Sequence, residues 1–168
     1  MSNHSDNHAG LGDTTDQPGG VRVDERAPIL LHGEIEVAAG RETVWDVLAA
    51  IEQWPDWNPD VTYAELEGKL EPGTTFRWKS GSSSLVSRFV RVSPPAEIAW
   101  TGRSMGTSVL HVYRLEERGG RTLVLTDESV TGVPARLFRG PIRRRMDNAI
   151  ENQLQRLKAE SERRAAAQ

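Results

Sequence analysis

The chain has 168 residues, a formal charge of -3 and 37% hydrophobic residues, with a mean hydropathy of -0.53. That length suits one domain with room for a tail. The lack of cysteine excludes disulfides, thiolate metal sites and a cysteine nucleophile, and the charge speaks against a general nucleic-acid binder, which carries a basic excess. No apolar run reaches the roughly 18 residues of a membrane span. Met1–His8 lacks the basic start and apolar stretch of a secretory signal. The expectation is a cytoplasmic protein without integral membrane association.

Residues 1–27 contain no aromatic residue and no periodicity, which predicts a disordered tail. Asp6, Asp13, Asp16, Asp24 and Glu25 face only Arg22 and Arg26, so the tail carries the chain's whole excess of acid. His4 and His8 stand at i, i+4 but lack the carboxylate or thiol support of a metal site.

From Ile29 the pattern changes. Ile29, Leu31, Ile35 and Val37 alternate with His32, Glu34 and Glu36, the period of a half-buried strand. Arg41–Ile51 places Val44, Val47, Leu48 and Ile51 on one helical face. The prolines of Trp54-Pro55-Asp56-Trp57-Asn58-Pro59 then end that helix. Trp54 and Trp57 suit either a lid over an interior site or packing of the helix against a sheet.

Six short strands follow, over Val61–Glu67, Thr74–Ser80, Leu85–Ser93, Glu97–Gly102, Ser108–Glu116 and Thr122–Val130. The breaks between them are short and rich in Gly, Pro and Ser, which favours antiparallel hairpins. A long helix beginning near Pro134 or Pro141 closes the chain, with Ile142, Met146, Ile150, Leu154 and Leu157 in one apolar stripe. Gly140-Pro141 is placed to break or bend its start. Arg139, Arg143, Arg144 and Arg145 form a cluster, read either as a solvated helix face or as an attractor for an anionic ligand, membrane or partner. Strands in a run with helices set apart define an α+β class.

This order, with Glu42-Thr-Val-Trp45-Asp-Val-Leu48, Trp54-Pro-Asp-Trp57-Asn58-Pro59, Pro72-Gly-Thr-Thr-Phe76-Arg-Trp78, Pro94-Pro95-Ala-Glu-Ile98-Ala-Trp100-Thr-Gly102, His111-Val-Tyr113-Arg-Leu115 and Thr126-Asp-Glu128-Ser-Val-Thr-Gly132, resembles the START-like helix-grip superfamily (SRPBCC). The nearest branch is that of polyketide cyclases/dehydrases and lipid transport. The resemblance implies a seven-stranded antiparallel sheet curled around the C-terminal helix, with an enclosed cavity between them. It implies a domain over 28–160, and because the apolar stripe stops at Leu157, residues 161–168 are expected to form a frayed end. Members bind lipids, polyketides, quinones or aromatic compounds, and a minority are cyclases, aromatases or dehydratases.

Strand parity nominates the lining. Arg77 and Lys79 outward turn Phe76 and Trp78 inward; Glu97 and Ala99 outward turn in Ile98 and Trp100; Arg114 and Glu116 outward turn in His111 and Tyr113. For the last strand, composition would bury Leu123 and Leu125, whereas the family pattern turns Val124, Thr126 and Glu128 inward. With Ile142, Met146 and Ile150 from the helix, these residues form an apolar wall with His111, Thr126 and Glu128 as its polar groups, as small-molecule sites generally have. The competing reading is a packed aromatic core.

The expected function is binding of a hydrophobic or aromatic small molecule by a monomer or homodimer, without cofactor, metal or nucleic acid. The alternative is a cyclase, aromatase or dehydratase in which His111 or Glu128 provides acid–base chemistry. No phosphate loop, metal-ligand spacing or nucleophile elbow occurs to suggest other chemistry.

Overall fold

In the computed structural model, which describes residues 19–168, the alternating segments pair into one sheet. Its strands are β1 (Ile29–Val37), β2 (Val61–Leu66), β3 (Thr75–Ser80), β4 (Ser83–Ser93), β5 (Glu97–Ser104), β6 (Thr107–Arg118) and β7 (Arg121–Gly132). Their order is β1-β7-β6-β5-β4-β3-β2, and every neighbouring pair is antiparallel. Five consecutive hairpins build β2 through β7, and β1 returns to pair with the last strand.

Helix α1 (Arg41–Ala49), a 3₁₀ turn (Ile51–Gln53) and α2 (Trp54–Trp57) carry the chain from one edge strand to the other. The prolines do not end α1, which stops at Ala49 where Ala50 leaves the helical region; Trp54 is itself helical, and Pro55 opens α2, where a missing N–H donor costs nothing. Trp54 is buried, and its Nε1 donates to the Leu48 carbonyl at 3.0 Å, tying α2 back to α1.

The chain leaves β7 through α3 (Val133–Leu137), breaks at Phe138, and continues as α4 (Arg139–Ala166). Gly140 and Pro141 therefore sit in the first turn of α4, a position proline tolerates. Its buried stripe is Ile150, Leu154 and Leu157, whereas Ile142 and Met146 are only half-buried.

Gly33 of β1 sets how closely α4 can lie. A Cβ there would stand 2.8 Å from Ile150 Cγ2 and 2.8 Å from Leu154 Cδ1, so any side chain at this position would force those helix residues aside. Polar ties fix the same half of the helix. Glu162 accepts from the Ala38 N–H at 2.8 Å, Lys158 donates to the Glu36 carbonyl at 2.7 Å, and Arg164 donates to Gln53 at 3.0 Å. Among the described residues, no side chain of 139–149 makes such a bond to the rest of the fold.

The apolar stripe ends at Leu157, yet the helix continues to Ala166 rather than fraying after Glu160. Ser161 is fully buried, and Glu160 accepts from both Arg163 and Arg164. Of the tail expected over 1–27, residues 1–18, with His4 and His8, lie outside the described residues. Residues 19–27 run along the outer face of the sheet. There Val21 N–H donates to Glu97 at 3.1 Å, Val21 O accepts from Arg114 at 2.5 Å, and Asp24 N–H donates to Ser129 at 3.3 Å.

Two stability predictions follow from these contacts. Gly33→Ala overpacks the helix seat and lowers stability by about 1–3 kcal/mol, read as a lower urea midpoint; an unchanged midpoint means α4 does not rest on Gly33. The hydrogen bond from Arg163 holds the Glu160 carboxyl down at about 2 from the ordinary 4.5, burial opposing it and Arg164 assisting. Because the folded value is the lower one, this stability is complete above pH 4.5 and is lost as pH falls toward about 2. Glu160→Gln removes that part of the acid sensitivity; chemical melts across the window that match the parent slope would refute it.

Candidate functional site

The concave face of the sheet meets α4, and strand register decides what it displays. One cross-strand row reads Leu31, Glu128, His111, Trp100 and Phe89, and the next reads Gly33, Thr126, Tyr113, Ile98 and Val92. On β7 the buried positions are Thr122, Val124, Thr126, Glu128 and Val130 on the inner face, together with Ser129 on the outer face, where the Asp24 N–H meets its hydroxyl. Leu123 and Leu125 take the outer face, opposite Glu36, Glu34, Glu116 and Arg114, and are half-buried among such long side chains. Phe76, Ile98, Trp100, Tyr113 and Val124 are buried, Ile150 nearly so, and Trp78, Ile142 and Met146 are half-buried.

Two kinds of surface share this face. Toward β3 lies an aromatic cluster: Trp54 stands edge-on to Phe76 at 5.8 Å and to Trp78 at 5.5 Å, and Phe76 stacks on Phe89 at 4.7 Å. The ring of Trp100 joins it to His111 at 4.8 Å. Trp54 thus packs the helical segment onto the sheet, and Trp78 donates to the buried Ser87 hydroxyl at 3.0 Å. Phe89 escaped the sequence reading because a bulge between Phe89 and Arg91 breaks the alternation on β4. Gly33 escaped it too, although a lone glycine inside a strand is itself a sign of close approach.

Toward β1 lies a polar centre. His111 and Glu128 are directly opposite across β6 and β7, and His111 Nδ1 lies 2.5 Å from Glu128 Oε1. The other ring nitrogen, Nε2, lies 2.7 Å from the Thr126 hydroxyl. The imidazole thus bridges the carboxylate at Nδ1 and the Thr126 hydroxyl at Nε2. Carboxylate, imidazole and hydroxyl form one chain, with Tyr113 stacked on His111 at 4.5 Å.

Two atoms of this centre are left over. Glu128 Oε2 and the Tyr113 hydroxyl are buried without a hydrogen-bond partner. An unpaired buried polar atom costs about 1–3 kcal/mol, so the centre is built at a loss unless something completes it. Burial, reinforced by the Glu128 charge and opposed by Thr126, pushes the Tyr113 hydroxyl far above its ordinary value, so it remains a donor.

The structure opens a hollow of about 440 Å³ bounded by Ser84 and Arg103–Ser108. Another of about 250 Å³ lies between Arg22, Val23, Glu25, Arg114 and Asp127. Neither is bounded by the inner-face residues, whose rings fill much of the space expected for the cavity. No His, Cys, Asp and Glu group suited to a metal ion occurs among the described residues, and no described helix is long and apolar enough to cross a membrane.

A single antiparallel sheet wrapped on one long helix, with a polar centre on the gripped face, defines the helix-grip class. The chain belongs to the family described as "Polyketide cyclase / dehydrase and lipid transport", which matches residues 28–162. A hypothetical protein from Helicobacter pylori has a similar structure, with a TM-score of 0.74, 19% identity, and coverage of 87% of this chain and 98% of that one. A START superfamily protein from Mycobacterium smegmatis gives 0.62 at 18% identity, covering 82% and 97%. The Zhui aromatase/cyclase from Streptomyces sp. R1128 gives 0.68 at 19%, covering 81% and 94%. At these identities the likeness establishes the fold alone. Among curated proteins no sequence match is found.

The unpaired atoms and the His111–Glu128 contact respond oppositely to mutation. Tyr113→Phe deletes an unsatisfied hydroxyl and leaves the unliganded protein as stable or about 1 kcal/mol more so. His111→Leu strands the Glu128 carboxylate and costs about 3–5 kcal/mol. Thermal melts in which Tyr113→Phe destabilises by as much as His111→Leu would contradict this account of the centre.

Proposed function

We propose that the protein binds a hydrophobic small molecule with a hydroxyl end, held between the concave face of the sheet and residues 139–149 of α4. The observation that carries this reading is the pair of buried, unpartnered atoms, Glu128 Oε2 and the Tyr113 hydroxyl. A ligand hydroxyl satisfies both, donating to the carboxylate and accepting from Tyr113. Trp100, Phe76 and Trp78 offer apolar and aromatic surface beside them, worth roughly 25 cal/mol per Å² buried. A ligand carboxylate would instead meet the Glu128 charge without an opposing cation beyond His111.

Access is from the start of α4. The helix begins beside the end of β7 and reaches Gly33 only at Ile150 and Leu154, so the half-buried Ile142 and Met146 precede that seat. Lifting this half exposes the concave face without breaking the ties made by Lys158, Glu162 and Arg164.

A second reading is favoured by the hydrogen-bonded chain from Glu128 through His111 to Thr126. In a cyclase or dehydratase, Glu128 Oε2 would take the acidic proton next to a substrate carbonyl. The Tyr113 hydroxyl would donate to the resulting enolate oxygen. Acid–base steps of this kind contribute about 10²–10⁴-fold, so Glu128→Gln would lower turnover of an enolisable polyketide by that factor. Unchanged turnover would remove this reading.

The binding reading is tested with 2-naphthol and 2-naphthoate, followed by tryptophan fluorescence. Naphthol is expected to bind at least about tenfold more tightly, a difference near 1.4 kcal/mol, and Glu128→Gln narrows the gap. Equal binding of both, or no response to either, would overturn it.

A further inference from the structure

The end of the fold where α4 begins carries a second surface, unrelated to the polar centre. The turns after β3 and β5, the end of β7, α3 and the start of α4 all meet there. Thr107 pairs with Gly132, a Cβ on Gly106 would lie 3.6 Å from Pro134, and one on Gly81 would lie 4.0 Å from Arg145. Six large apolar side chains are exposed among the described residues, and four of them belong to this end. They are Met105, Val133, Leu137 and Phe138, at 84%, 67%, 71% and 60% exposure.

Charge gathers at the same place. Residues 133–146 include Arg136, Arg139, Arg143, Arg144 and Arg145 and no acidic residue. Among the described residues only Arg143 of these five meets a carboxylate, that of Asp147 at 3.7 Å. Arg103 adds a guanidinium at the edge of the hollow beside Met105. Single exposed apolar residues are ordinary on protein surfaces. Four together, with arginines of which only Arg143 meets a carboxylate among the described residues, make up the composition of an interfacial membrane contact.

We propose that this end docks peripherally on an anionic bilayer, with Met105, Leu137 and Phe138 inserted among the acyl boundaries and the arginines on lipid phosphates. The shape decides between a bilayer and a protein partner. Val133, Leu137 and Phe138 project as separate tips from a short helix and its end, and of the four only Met105 borders the hollow described above. A fluid interface accepts projecting tips, whereas a protein partner must supply a matched pocket for each. The arginines supply the attraction to anionic lipid that would hold the tips at the surface. Docking places the loosely seated start of α4 against the lipid, but the proposal requires no ligand in the interior and stands apart from the binding reading.

The test is cosedimentation of the full chain with phosphatidylcholine vesicles, with and without phosphatidylglycerol, at low and high salt. Binding is expected to the phosphatidylglycerol vesicles, at least about tenfold weaker to phosphatidylcholine alone, and similarly weakened by high salt. Leu137→Ser/Phe138→Ser and, separately, Arg144→Glu/Arg145→Glu are each expected to lower it about tenfold, with circular dichroism melts unchanged because all four side chains are exposed. Absence of binding to anionic vesicles, or binding that neither variant weakens, overturns the proposal. Retention on immobilised polyglutamate without vesicle binding would also overturn it, in favour of an acidic protein partner.

Discussion

The close approach of α4 to β1 over Gly33 is the constraint on which the rest of the molecule depends. A helix gripped by a sheet must be held somewhere, and here it is held at one end. Gly33 removes the side chain that would keep Ile150 and Leu154 away, and Lys158, Glu162 and Arg164 add polar ties in the same half. The other half, led by Gly140 and Pro141, has only Ile142 and Met146 against the core. One helix therefore performs two tasks. Its second half completes the hydrophobic core, and its first half meets that core only through the half-buried Ile142 and Met146.

That difference gives the polar centre its meaning. A buried Glu128–His111 pair is a poor way to stabilise a fold, since well-packed apolar residues would serve as well or better. Leaving Glu128 Oε2 and the Tyr113 hydroxyl without partners adds a further cost. Local departures from the rules of good packing tend to mark places where function is served at the expense of stability. The outer face shows the contrast. There Arg114 binds Asp127 at 2.7 Å, Arg91 binds Glu97 at 2.8 Å, and the chain from Val21 to Asp24 lies across them, so these buried and half-buried charges are answered. Burial pushes Asp127 up, but hydrogen bonds from His32 and Arg114 outweigh it and hold the carboxyl below its ordinary range. On the sheet itself the unanswered atoms are those two of the gripped face; the others among the described residues, Arg41 Nε, Trp57 Nε1 and Ser161 Oγ, belong to helices.

Much of this was legible in the sequence because it rests on alternation. Charged residues at Arg77, Lys79, Arg114 and Glu116 declare the outer face, and so expose the identity of Phe76, Trp78, His111 and Tyr113 as inward residues. The last strand resisted that logic. Leu123 and Leu125 look like core and are not, because long charged neighbours on β1 and β6 shelter them, while Glu128 is buried through its pairing with His111. The helix end was misjudged for a related reason: Ser161 is buried, and ion pairs of Glu160 extend the helix where the apolar stripe has stopped. Three-dimensional coincidences were beyond the sequence altogether. The seating of α4 on Gly33 joins residues more than a hundred positions apart, and the gathering of Met105 with Leu137, Phe138 and the arginines needs the topology that brings a hairpin turn beside α3.

The uneven hold on α4 relates the interior centre to the apolar and basic end, since Glu128 and His111 stand one row beyond the Gly33 seat toward the end of β7, where α4 begins. Hydrogen–deuterium exchange resolved along α4 tests it most directly. Amides of residues 142–149 are predicted to exchange at least about tenfold faster than those of residues 154–161, because local opening costs least where few apolar contacts must be broken. Equal protection along the whole helix would show that α4 is held at both ends, and the account of access to the concave face would fail.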